Sequence, residues 1–110
     1  MMTIEEQQEL EERIAKRTPP KWYGLAVPVE FYDIIDRLDR AIAEIVPNYE
    51  VHQIKLKFND FRYYMEFPEG TTKEDKERVY ALISEAEVQA HKLNKQLVEK
   101  RLKRLGKRVK

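Results

Sequence analysis

Val51-His52-Gln53-Ile54-Lys55-Leu56-Lys57-Phe58-Asn59-Asp60-Phe61-Arg62-Tyr63-Tyr64-Met65-Glu66-Phe67 is the stretch whose reading decides the fold. Apolar and polar residues alternate on both sides of a short polar pair, the pattern of a β-hairpin with one buried face. His52, Ile54, Leu56 and Phe58 share one face of the first strand, and Phe61, Tyr63, Met65 and Phe67 share it on the second. Asn59 and Asp60 tolerate positive φ, so a two-residue turn is predicted there. That turn sets Phe58 opposite Phe61, Leu56 opposite Tyr63, Ile54 opposite Met65 and His52 opposite Phe67, with His52 a hydrogen-bonded core residue. On the other face Lys57 is predicted opposite Arg62, Lys55 opposite Tyr64 and Gln53 opposite Glu66. Like charges directly opposite each other are unfavourable. Either the face is solvated or paired within the fold, or it awaits phosphate or an acidic protein surface.

The run Gln53-Ile54-Lys55-Leu56-Lys57-Phe58, followed by Arg62-Tyr63-Tyr64, resembles a segment of a family of small uncharacterised phage and bacterial proteins. Theirs reads Gln-Val-Lys-x-Lys-Phe-Gly-x-Leu-Arg-Phe-Tyr and follows a Trp-Tyr pair, here Trp22-Tyr23. The resemblance spans roughly Trp22 to Ala90 and implies a phage-encoded protein working in the bacterial cytoplasm. It carries no assigned chemistry. Asn59-Asp60 replaces the family's Gly-containing turn, and the cysteine cluster that often follows its last helix is absent, so no metal knuckle is implied.

Outward from the hairpin, helices are predicted on both sides. Thr3 to Lys16 forms one, opened by a Thr3/Glu6 capping box and carrying a thin apolar stripe of Ile4, Leu10 and Ile14. Thr18-Pro19-Pro20 ends it. Trp22 and Tyr23 follow in an irregular segment with Leu25 and Val27, and are expected to plug the edge of the core; the alternative is an exposed aromatic anchor. Pro28 to Val46 is the clearest helix, with Phe31, Ile34, Ile35, Leu38, Ile42, Ile45 and Val46 on one stripe and Asp33/Arg37 and Asp36/Arg40 pairs on its outer face. After Pro68-Glu69-Gly70, a Thr71/Glu74 capping box opens a long last helix. Its stripe of Val79, Leu82, Ile83, Ala86, Ala90, Leu93 and Leu97 faces the hairpin. Val98, Leu102, Leu105 and Val109 form a second stripe rotated by about 100°. The predicted architecture is α+β, in the order α-α-β-β-α: a two-stranded antiparallel hairpin packed against helices, with a long basic C-terminal helix. The chain divides into an acidic N-terminal helix at 1–18, an α+β core at 19–93 and a basic helical extension at 94–110.

A chain of 110 residues with 42% hydrophobic content fills one core. It has no Cys and two His, which excludes disulfides and thiolate metal sites and leaves no expected metal or other cofactor. No apolar run reaches the roughly 18 residues of a membrane span, and the polar N-terminus is no signal peptide, so a cytoplasmic protein is expected. The net charge of +1 conceals a division: residues 1–17 carry −2, residues 18–90 carry −5 and residues 91–110 carry +8.

Catalytic patterns are missing. Gly24, Gly70 and Gly106 are scattered rather than gathered in a phosphate loop, and Ser84, the single serine, sits mid-helix without a base. His91, beside Lys92, reads as solvated. We therefore expect a non-enzymatic interaction protein with no small-molecule substrate. It would bind a protein partner or self-associate through its terminal helices. The alternative is nucleic acid, recognised by the basic helix and the hairpin's basic face. The candidate surface comprises Gln53, Lys55, Lys57, Arg62 and Tyr64 with Lys100, Arg101, Leu102, Lys103, Arg104, Leu105 and Arg108.

Overall fold

A computed structural model describes residues 2–109, with side chains through residue 106. In chain order it has α1 (Ile4–Arg17), β1 (Gly24–Ala26), a 3-10 turn (Val29–Phe31), α2 (Tyr32–Ile45), β2 (Glu50–Lys57), β3 (Asp60–Glu66) and α3 (Lys73–Val109). The α+β class stands, but the sheet has three strands, in the order β1-β2-β3. β1 lies parallel to β2, pairing Leu25 with Ile54, and β3 is antiparallel to β2. Parallel neighbours need a crossover, which α2 supplies. Three residues ending near Pro28 are too few to show a strand's alternation, so the sequence reads as irregular there. Gly24 opens the strand at φ +67°, and a Cβ on it would come 3.2 Å from Thr18 Oγ1.

The hairpin turn sits one residue earlier than predicted. Phe58 (φ 52°) and Asn59 (φ 68°) are its central pair, with Lys57 opposite Asp60. Leu56 therefore faces Phe61, Ile54 faces Tyr63, and Lys55, rather than Lys57, faces Arg62. The register moves by two positions, which keeps each residue on its predicted face. Phe58 is the exception, since it enters the turn and is 91% exposed. A second departure lies at the other end of β2. Val51 pairs with Met65 and Gln53 with Tyr64, leaving His52 as the extra residue of a β-bulge. The bulge turns Val51 inward, fully buried, and puts His52 on the outer face instead of in the core.

The helices cover the inner face. In α1 the Thr3/Glu6 capping box forms as predicted, and Leu10 and Ile14 are fully buried while Ile4 stays exposed. Burying each side chain stabilises by roughly 1.5–3 kcal/mol, which gives a short helix the tertiary support it lacks alone. Phe31, Ile34, Ile35, Leu38, Ile42 and Val46 pack over Val51, Ile54, Phe61 and Tyr63. The long helix begins one residue later than its predicted box. The Thr72 hydroxyl accepts from Asp75 N–H at 3.1 Å, while Thr71 donates to the Pro68 carbonyl. Val79, Ala86 and Ala90 are buried against the core. From there α3 runs on, which makes the molecule 58 Å long against 29 and 25 Å.

One polar element interrupts this core. Asp39, in the apolar stripe of α2, is 1% exposed. Its carboxylate takes Arg13 Nε at 2.7 Å and lies 2.7 Å from Arg17 Nε, both from α1. Tyr49 donates its hydroxyl to the same carboxylate and accepts from Tyr63 of β3 at 2.6 Å. Arg17 also lies over the Tyr49 ring, 4.4 Å from its centre, and donates to the Pro47 carbonyl. Asp36, predicted to pair outward with Arg40, does so at 3.2 Å and also accepts from Arg13. Partial burial works against the Asp36 charge, but the hydrogen bonds from Arg13 and Arg40 overcome it and hold its carboxyl below the usual range. The Asp33/Arg37 pair does not form an ion pair among the described residues.

Burial raises the phenol pKa of Tyr32 to about 12, aided by its bond to Glu11. Burial also raises Tyr49 and Tyr63 above the ordinary phenol range, and the Asp39 charge adds to both. A raised pKa means that the neutral phenol is favoured by the fold. Its contribution is complete below the unfolded value of about 10 and is lost as pH climbs through the folded value. Unfolding monitored by circular dichroism should therefore show stability flat below pH 10 and falling from there past pH 12. A fold that holds to still higher pH, with all six tyrosines ionising freely in the ultraviolet, would contradict this.

Candidate interaction surface

The basic residues singled out in the sequence fall on two separate surfaces. Gln53, Lys55, Arg62 and Tyr64 lie on the outer sheet face, turned away from the helices, with Lys57 at its tip. Lys55 and Arg62 stand directly opposite each other, yet their charges diverge. The Lys55 ammonium lies over the Tyr64 ring, 5.8 Å from its centre, and Arg62 reaches Asp60 at 3.7 Å. Lys55 and Lys57 make no ion pair among the described residues, so compensation within the fold is partial. Arg62 Nε is buried without a hydrogen-bond partner there.

The other end of this face is acidic. Glu50 and Glu66 are cross-strand partners, and the bulge brings His52 beside them, with Nε2 3.2 Å from Glu66 and 4.0 Å from Glu50. Trp22 stacks flat on the imidazole at 4.2 Å. Trp22 and Tyr23 thus do not plug the core; they are 38% and 77% exposed, and Trp22 packs on the outer face against His52. Ligand atoms of Glu50, His52 and Glu66 lie within 4.8 Å of one another, close enough to hold a cation, but both glutamates are exposed and the imidazole already meets one of them.

The second surface belongs to α3. Beyond Ala90 no described side chain of the helix is fully buried, and Leu93 and Leu97 pack against the core only in part. Val98, Leu102 and Leu105 are exposed at 40%, 60% and 44%. Lys100, Arg101, Lys103 and Arg104 stand around them, also exposed. The backbone of Arg108 and Val109 continues the helix, and their side chains lie outside the described residues. Asn94 donates to the Asn59 carbonyl at 3.4 Å and ties the hairpin tip to this helix. Between them runs a groove of about 370 Å³, lined by Phe31, Leu56, Leu97, Val98 and Arg101 among others.

Phe58 precedes Asn59 in the hairpin turn. A bulky residue at positive φ is strained, by about 1–2 kcal/mol in the left-handed region, and at 91% exposure Phe58 gains no burial in return. Sequence reasoning placed it in the core because its alternation with Leu56 is regular; the turn's demand for two left-handed residues won.

No protein-family model, curated protein or solved structure matches the chain. Among the described residues, no helix is long and apolar enough to cross a membrane.

Replacing Phe58 with glycine should leave stability unchanged or raise it by up to about 1 kcal/mol in urea unfolding, since glycine adopts positive φ freely. A loss of more than about 1 kcal/mol would show that Phe58 packs within the fold.

Proposed function

We propose that the chain is a small non-catalytic interaction protein that binds protein through the exposed half of α3. The observation that carries this reading is the stripe of Val98, Leu102 and Leu105, left in water by the chain's own body. Large apolar side chains clustered on a projecting helix are characteristic of a helix that docks in a groove or against another helix. The surrounding Lys100, Arg101, Lys103 and Arg104 favour an acidic partner surface. The resemblance to small phage proteins supports a setting in the bacterial cytoplasm during infection.

Nucleic acid is the second reading, favoured by the Lys55/Tyr64/Arg62 group and by the +8 charge of residues 91–110. Phosphate has no use for the apolar stripe, however, and the rest of the chain is net negative. The purified chain and its Leu102→Glu/Leu105→Glu variant decide between the two. Protein capture from bacterial lysate should survive nuclease treatment and be lost in the variant, whose core is untouched. Tight retention of DNA or RNA at physiological salt, weakening steeply as salt rises, would overturn the protein reading.

A further inference from the structure

The exposed stripe of α3 is longer than its three large apolar residues. Ala81, Ser84, Val88, His91, Lys95, Val98, Leu102 and Leu105 succeed one another in steps of three and four, and all are exposed. Five of the eight are apolar, and three-four spacing of apolar residues is the pattern of a coiled-coil seam, here interrupted by Ser84, His91 and Lys95. Around Val88 the seam lies on the helix side away from the body. Val88 lies two residues from buried Ala86 and from buried Ala90, about 200° around the helix from each. A second helix along the seam would meet neither the sheet nor α2 at Val88, and at Val98 it would border the groove shared with Phe31 and Leu56. From Ala81 to Leu105 it is about 36 Å long at 1.5 Å per residue.

We propose that the occupant is α3 of a second copy of this chain, running antiparallel. This rests on the reading of α3 as a protein-binding helix and names its partner. Charge sets the direction. The first half of α3 carries Glu74, Asp75, Glu77, Glu85 and Glu87 against three basic residues; residues 91–106 carry Lys92, Lys95, Lys100, Arg101, Lys103 and Arg104 against Glu99 alone. A parallel pair sets basic half on basic half. An antiparallel pair with Val88 opposite Val98 sets residues 96–106, with four basic residues against Glu99, on residues 80–90 of the second copy, which carry Glu85 and Glu87 and no basic residue. Glu87 comes near Arg101, offset in part by Glu85 beside Glu99 and by Lys92 beside Lys92 of the second copy.

Side-chain size sets the register. With Val88 opposite Val98 of the second copy, Ser84 falls opposite Leu102 and Ala81 opposite Leu105. Large residues then fill the space that small ones leave, whereas a parallel pair would stack Leu on Leu and leave Ala81 and Ser84 facing voids. His91 meets Lys95 at the centre, a polar layer that weakens the pair and holds its register. The contact is isologous, so it closes on two copies. The acidic α1 of a second copy is a poorer occupant. It matches the charge with Glu5, Glu9 and Glu12, but Ile4 is its one exposed large apolar residue.

The test uses the full chain. Sedimentation equilibrium should show a monomer–dimer equilibrium, with the dissociation constant raised at least about tenfold in Leu102→Glu while circular dichroism is unchanged. The chain has no cysteine, so direction is read by oxidising an equimolar mixture of Ser84→Cys and Leu102→Cys chains. The antiparallel pair yields the mixed Ser84→Cys/Leu102→Cys disulfide as the main product. Homodisulfides of each variant would mean a parallel pair and overturn the proposal. Dimers that resist Leu102→Glu and give no disulfide would place the contact elsewhere and overturn it too. A wild-type chain that stays monomeric to millimolar concentration, while still capturing a protein that Leu102→Glu/Leu105→Glu loses, would overturn the second copy and leave the protein-binding reading standing. Loss of both would remove that reading as well.

Discussion

Asp39 holds a carboxylate at 1% exposure in the middle of an apolar helix stripe, and α1, the loop before β2 and β3 each contribute side chains to the network that keeps it paired. Desolvating such a charge costs several kcal/mol unless partners replace the lost water. Arg13 and Arg17 supply counter-charge from α1, and Tyr49 supplies a hydroxyl that relays to Tyr63 on β3. One side chain of α2 thereby fixes α1, the loop before β2 and the far strand of the sheet. The apolar contacts would tolerate small slides of these elements; the Asp39 bonds, with their narrow range of distance and angle, do not. A three-residue parallel strand and a seven-residue edge strand gain a defined position from this, which hairpin pairing alone would not give.

What the sequence shows of this depends on repetition. The stripes of α1, α2 and the body half of α3 recur at helical spacing over fourteen or more residues, and the helices form where the spacing puts them. The hairpin was legible for the same reason. Its turn was not, because Phe58-Asn59 and Asn59-Asp60 differ by one step, and a chain-local rule prefers the pair without an aromatic residue. β1 was hidden by its length. The His52 bulge was hidden because alternation cannot reveal one inserted residue, and Val51, buried at 0%, is the sign of it. Asp39 stood in plain view three residues past Asp36, but nothing local distinguishes an aspartate that faces two arginines twenty-odd residues upstream from one that faces water.

The candidate surface divides the same way. The exposed stripe of Val98, Leu102 and Leu105 was legible from its rotation relative to the core stripe. Its extension back through Val88, Ser84 and Ala81 was not, since those residues look like the ordinary outer face of an amphipathic helix until the buried side is known. The hairpin's basic residues were correctly set on one face, yet the tertiary fold puts that face across the sheet from α3, so the two basic groups cannot act as one surface. The body holds one end of a 37-residue helix and leaves Val98, Leu102 and Leu105 toward the other end exposed.

The most direct test of this account is the urea unfolding of Asp39→Ala. The substitution leaves Arg13 and Arg17 without their shared carboxylate and Tyr49 without its acceptor. The account predicts a loss of about 3–5 kcal/mol, the usual cost of removing one partner from a buried ion pair. A loss under about 1 kcal/mol, the scale of an exposed salt bridge, would contradict it and show that apolar packing alone sets the positions of α1, α2 and the sheet.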